Sequence, residues 1–82
     1  MNLKGLQLII VSPEKEIFTD EISSVTLPGS IGSFSILPNH APIISSLKKG
    51  TLTYVSGGAE QQIEIEGGFV EYSNGLISVT IY

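Results

Sequence analysis

The 82 residues contain no cysteine. That excludes the disulfide framework of many small secreted domains and removes thiolate from any metal site, so a reducing compartment fits best. Histidine and aspartate occur once each, as His40 and Asp20, and neither GSIG (29–32) nor GSFS (32–35) forms a GxSxG elbow. A hydrolytic triad therefore has nothing to assemble from. Basic residues are scarce: four Lys and Arg against eight Asp and Glu give a formal charge of -4. The only adjacent pair, Lys48 and Lys49, cannot supply the positive stripe that a phosphate backbone requires, which excludes nucleic acid as a partner. Long apolar runs are missing too. The opening LQLIIV is too short for a signal segment and far too short to span a bilayer, so no direct membrane insertion is expected. A chain of this kind works at a membrane only if a partner holds it there.

Helical spacing is also absent, because no window of eleven residues places apolar side chains three and four apart, and glycine or proline interrupts nearly every ten residues. What is present is alternation. Leu6, Leu8 and Ile10 oppose Ile9 and Val11, and Pro13 closes that strand. Residues 14–20 read as a turn and short strand carrying Ile17 and Phe18, with the neighbouring Asp20 and Glu21 as turn residues. Val25 and Leu27 share a face of the next run, which Pro28 should end. Phe34 and Ile36 alternate with Ser33 and Ser35, a further piece begins at Ile43 and Ile44, and Leu52 and Tyr54 alternate with Thr51, Thr53 and Val55.

Residues 56–59 (SGGA) suit a hairpin, Ile63 and Ile65 alternate with Gln62, Glu64 and Glu66, and Asn74-Gly75 fits a type I′ turn into a last strand with Ile77, Val79 and Ile81 inward. Eight to ten short strands in so small a chain cannot all be covered within one flat sheet. The predicted fold is all-β, a two-sheet antiparallel β-sandwich forming a single domain over residues 1–82. A chain this short buries only roughly 60–65% of its unfolded surface, so its stability margin is thin.

Residues 28–47, PGSIGSFSILPNHAPIISSL, hold three of the four prolines and the only histidine. Pro38 and Pro42 bracket Asn39, His40 and Ala41, and a segment pinned at both ends loses little freedom when a partner docks. This is the predicted working surface. His40 has three readings: a loop residue bonded to nearby backbone, a partner contact, or a metal ligand, the last without a second imidazole to join it. Ile31, Leu37, Ile43 and Ile44 either form an exposed binding face or plug the ends of the core.

Other constellations point away from catalysis. Glu64 and Glu66 share a strand face, where paired carboxylates could act as acid and base if buried together, but they flank Ile65 on the wet side. Lys48, Lys49, Gly50 and Thr51 have the wrong order and context for a phosphate loop. Gly29 and Gly32 are one glycine short of a dinucleotide fingerprint. No cofactor is expected.

In order, SPEKEIF, VTLPGSIGSFSILPNHAPIISSLKKGTL and EGGFVEYSNGLISV resemble the N-terminal β-sandwich domain of the epsilon-subunit family of rotary F-type ATP synthases. The resemblance covers essentially the whole chain. It implies a ten-stranded sandwich that binds the gamma subunit and rests on the c ring, a non-catalytic rotor part on the cytoplasmic face of the bacterial inner membrane. On this resemblance Ser30, Ile31, Gly32 and Ser33 lie toward the c-ring loops, and His40, with Pro42 beside it, lies near the stalk contacts. Members commonly carry an acidic residue where Ser33 stands, so the ring contact here would use a hydroxyl or be weaker. The family's C-terminal helical pair does not follow Tyr82 in this chain; a subunit naturally ending there should couple without braking hydrolysis. The competing reading is a small ligand-binding or carrier sandwich with Lys48 or Lys49 modified at a hairpin tip.

Overall fold

Alternating apolar and polar residues become nine strands in the computed structural model, which describes residues 6–14 and 16–82. In chain order they are β1 Leu6–Val11, β2 Glu16–Ile22, β3 Ser24–Gly29, β4 Gly32–Ile36, β5 Ile43–Leu47, β6 Gly50–Ser56, β7 Ala59–Ile65, β8 Gly68–Ser73 and β9 Leu76–Ile81. No helix occurs among the described residues.

Among the described residues the strands form two layers, β2-β1-β9-β8-β5 and β4-β3-β6-β7, joined as a ladder only through the pair Gly29 and Leu47. The layers fold over one another, which is the predicted sandwich. Every pairing among the described strands is antiparallel except β1 with β9, which run parallel. Across the gap the ring of Phe18 on β2 meets that of Tyr54 on β6, with centroids 4.5 Å apart. Period-two alternation supplies the core: Leu6, Leu8 and Ile10, Val25 and Leu27, Leu52 and Tyr54, Val70 and Tyr72, and Ile77, Val79 and Ile81 are all buried. Fully burying one such aliphatic side chain stabilises the fold by roughly 1.5–3 kcal/mol.

Two of the tight hairpins form where the glycine-rich and Asn-Gly turn chemistry placed them. Gly57 and Gly58, at φ 60° and 81°, connect β6 to β7, and Asn74 and Gly75, at 50° and 81°, connect β8 to β9. Positive φ at both central residues makes these type I′ turns, whose twist matches the flanking strands.

Three local expectations need correction. Pro28 does not end its strand, because β3 continues to Gly29 and Pro28 faces Ser33 across the β3–β4 ladder. The ladder from β3 to β6 has already stopped at Thr26, so no bond there needs the missing N–H, while the Pro28 carbonyl accepts from Lys48 N–H at 2.9 Å. Asp20 and Glu21 are not turn residues but lie inside β2, opposite Leu8 and Gln7. Lys48 and Lys49 are not at a hairpin tip: β5 pairs with β8 and β6 with β7, so the lysines occupy a corner between layers. The Ile17 side chain lies outside the described residues.

Candidate docking surface

The β3–β4 hairpin turns through two residues, Ser30 and Ile31, with Gly29 and Gly32 facing each other at its base. Gly29 is required by space. A Cβ there would lie 2.6 Å from the Gly32 carbonyl oxygen and 2.8 Å from a Phe34 ring carbon. The tip is also clamped to β5: Ser30 N–H donates to the Ser46 carbonyl at 3.1 Å, and the Ser30 and Ser46 hydroxyls bond at 2.8 Å. On this fixed turn Ile31 is 100% exposed. An isoleucine held rigidly in water gains only when something covers it.

Behind the tip an apolar cleft of about 330 Å³ opens between Ile31, Phe34 and Ile43. Of the four aliphatic residues weighed as a face or a plug, Ile31, Leu37 and Ile44 stand exposed, whereas Ile43 packs partly against the core.

The second patch is the β4–β5 connection. Leu37, Pro38, Asn39 and His40 form a β-turn in which His40 N–H donates to the Leu37 carbonyl at 3.2 Å and Asn39 has φ 72°. Proline followed by a residue at positive φ is type II geometry, with asparagine taking the place glycine usually fills. The His40 Nδ1–H donates to the Ala41 carbonyl at 2.7 Å, and its ring meets the edge of Tyr72 with centroids 6.1 Å apart. That is the backbone-bonded reading of His40, and in the neutral ring it leaves Nε2 as an acceptor on an exposed residue. A cavity of about 300 Å³ separates this turn from the Asn74-Gly75 hairpin, lined by Leu6, Pro38, His40, Pro42 and Tyr72.

The six residues singled out in the sequence thus fall into two patches. Ser30, Ile31, Gly32 and Ser33 sit at one end of β4, and His40 and Pro42 lie beyond its other end. Four strand steps at ~3.3 Å place the two ends of β4 roughly 13 Å apart.

Sequence reasoning missed two features of this surface. Phe69 is 46% exposed on the outer face of β8, diagonal to Ile44 across the β5–β8 ladder. The signal was in the alternation, since Val70 and Tyr72 turn inward and leave Phe69 on the side of Glu71. The other feature is charge: from residue 22 to residue 47 there is no Asp, Glu, Lys or Arg. This uncharged tract contains β3, β4, β5 and both patches, and depletion of charge marks the centre of protein interfaces. The carboxylates lie elsewhere; Glu64 on β7, for instance, accepts from the Thr51 hydroxyl at 2.7 Å. Among the described residues no three His, Cys, Asp or Glu side chains are grouped to hold a metal.

The chain matches the family described as ATP synthase, Delta/Epsilon chain, beta-sandwich domain, over residues 5–81. It is 45% identical over 76 residues to the ATP synthase epsilon chain of Desulforamulus reducens, covering 93% of this chain and 58% of that one. It is 40% identical over 79 residues to the epsilon chain of Leptospira interrogans serovar Lai, covering 96% and 62%. The chain therefore spans about three fifths of the length of these relatives. Among solved structures it superposes with a TM-score of 0.87, at 20% identity, on a chain of the Euglena gracilis mitochondrial ATP synthase, covering 99% of this chain and 52% of that one. A chain of the Tetrahymena thermophila mitochondrial ATP synthase central stalk and c ring gives a TM-score of 0.80 at 15% identity. At these identities the structural likeness speaks to fold alone.

Proposed function

Because the chain belongs to the β-sandwich family of ATP synthase delta and epsilon chains, we propose that it is a non-catalytic piece of the rotor. In this reading it binds the gamma subunit and rests on the c ring, on the cytoplasmic face of a bacterial membrane. Its task is to fasten stalk to ring, so that rotation driven by ions reaches catalytic sites on other subunits. The hairpin tip with Ser30, Ile31, Gly32 and Ser33 meets the ring, and the turn with His40 and Pro42 meets the stalk.

The observation that carries the proposal is Ile31, wholly exposed on a turn that hydrogen bonds hold to β5. A mechanical contact needs apolar area on a support that does not yield. Ordering cost on docking is small when the presenting turn is already fixed. Two patches at opposite ends of one strand also suit a part gripped by two neighbours.

Mixing the chain with purified gamma tests this directly. A one-to-one complex should elute together on sizing chromatography at micromolar concentration, and two separate peaks there would count against the rotor reading.

A further inference from the structure

Strand β4 pairs only with β3 among the described residues, so one of its edges is open. Gly29 and Gly32 flank a two-residue loop and therefore form a hydrogen-bonded pair, which turns the backbone groups of Gly32, Phe34 and Ile36 toward β3. The N–H and C=O groups of Ser33 and Ser35 then point out from the open edge.

Natural edges are usually blunted by charge, proline or a bulge. The other edge strands follow that rule. Strand β2 contains Glu16, Asp20 and Glu21, and β7 contains Glu60 and Glu64. Strand β5 begins directly after Pro42 and is bridged to β3 at Leu47. Strand β4, reading GSFSI, has none of these guards.

We propose that the open edge of β4 is a strand-addition site, and that in the free protein a second copy fills it, β4 pairing antiparallel with β4 about a two-fold axis at Phe34. Antiparallel pairing of identical strands is self-complementary, as a two-fold interface requires. In this register Ser33 faces Ser35 of the second copy and the reverse, so their outward groups exchange four backbone hydrogen bonds. Ile31 and Leu37, each three residues from Phe34, come opposite one another. These two are exposed by 100% and 54%, and the pairing covers both twice. Charge selects the same edge. Two copies of net charge -4 repel wherever carboxylates meet, and the uncharged tract of residues 22–47 is where they approach without that penalty.

The proposal does not rest on the rotor reading: a chain that dimerises but ignores gamma supports the one and removes the other. An interface this small gives weak association, so sedimentation should be followed from about 10 µM to about 1 mM. A monomer–dimer equilibrium in that range is expected, and a strict monomer at the top of it overturns the proposal.

Two variants test the register. Ser33→Lys with Ser35→Lys sets lysines directly opposite one another and should give a monomer throughout. Ser33→Lys with Ser35→Glu sets opposite charges across the axis and should tighten the dimer about fivefold. Both serines are exposed, and thermal melts check that folding is kept. If instead both variants associate like the parent, the edge is wrong. Amide exchange on the unmodified chain gives an independent reading: Ser33 and Ser35 should gain protection as concentration rises, and protection gained on β2 or β7 alone would refute β4.

Discussion

Replacing Ile31 with alanine separates folding from docking. The side chain is 100% exposed, so truncation removes no packing, and the turn beneath it is held by backbone bonds that the change leaves intact. Stability should stay within ~0.5 kcal/mol of the parent. For a domain of this size that is a melting shift of at most about 4 °C, read by circular dichroism. Docking is different. Isoleucine exceeds alanine by three carbons, and if all three are covered by the ring at ~0.8 kcal/mol each, about 2.4 kcal/mol is lost, roughly fiftyfold in Kd. The assay is titration of the purified chain into a detergent-solubilised complex of gamma and c ring. A melting temperature lowered by ten degrees would return Ile31 to the core, and an unchanged Kd would mean the tip touches nothing.

Gly29→Ala should cost about 1–3 kcal/mol in urea unfolding, because the added methyl meets the Gly32 carbonyl and the Phe34 ring with little room to relax. Asn39→Gly should leave stability nearly unchanged, while Asn39→Val, which forces a β-branched residue to φ 72°, should lose about 1–2 kcal/mol in the same assay. His40→Ala should lower stability by no more than ~1 kcal/mol, since the ring bonds only the adjacent carbonyl and touches the edge of Tyr72. Its larger effect should be several-fold weaker capture of gamma in pull-down at matched concentration.

The parts of the fold that were legible are those fixed by neighbours in sequence. Alternation placed Leu8, Leu52 and Val79 inward because a strand's side chains change face at every residue. Asn74-Gly75 announced its turn because few other pairs accept positive φ twice in succession. Pro28 misled because a proline's cost depends on whether its missing N–H faces a partner, and that is set by where the β3–β6 ladder stops. Asp20 and Glu21 misled in a similar way. Acidic neighbours suggest a turn, yet at an edge strand they remain solvated while Leu8 and Gln7 pair with them.

The candidate site was legible as a stretch but not as a geometry. Two prolines and the lone histidine marked residues 38–42, and LPNH contained the signature of a type II turn, with asparagine rather than glycine at the left-handed position. Exposure was harder to foresee. Ile43 and Ile44 are chemically alike and adjacent, and only pleating separates them, one packed on the core and the other facing water. Phe69 went unread because aromatic residues in small sandwiches usually point inward.

Among the described strands the two layers are tied together at one place, the single ladder contact of Gly29 with Leu47, and that contact lies directly beneath the exposed tip. Force applied at Ile31 passes through the Ser30–Ser46 bonds to β5 and, through Gly29, to β3, so both layers take the load together. If the tip is a mechanical contact, the place where it meets the body must be where the layers are tied. A tip on a free hairpin would bend about its base and spend the displacement in its own turn. Gly29 is where these requirements coincide: it admits the close approach of Gly32 and Phe34, ends β3, and bridges to Leu47. Gly29→Ala should therefore weaken ring binding beyond its effect on stability, because it displaces the joint that carries Ile31 while leaving Ile31 itself in place.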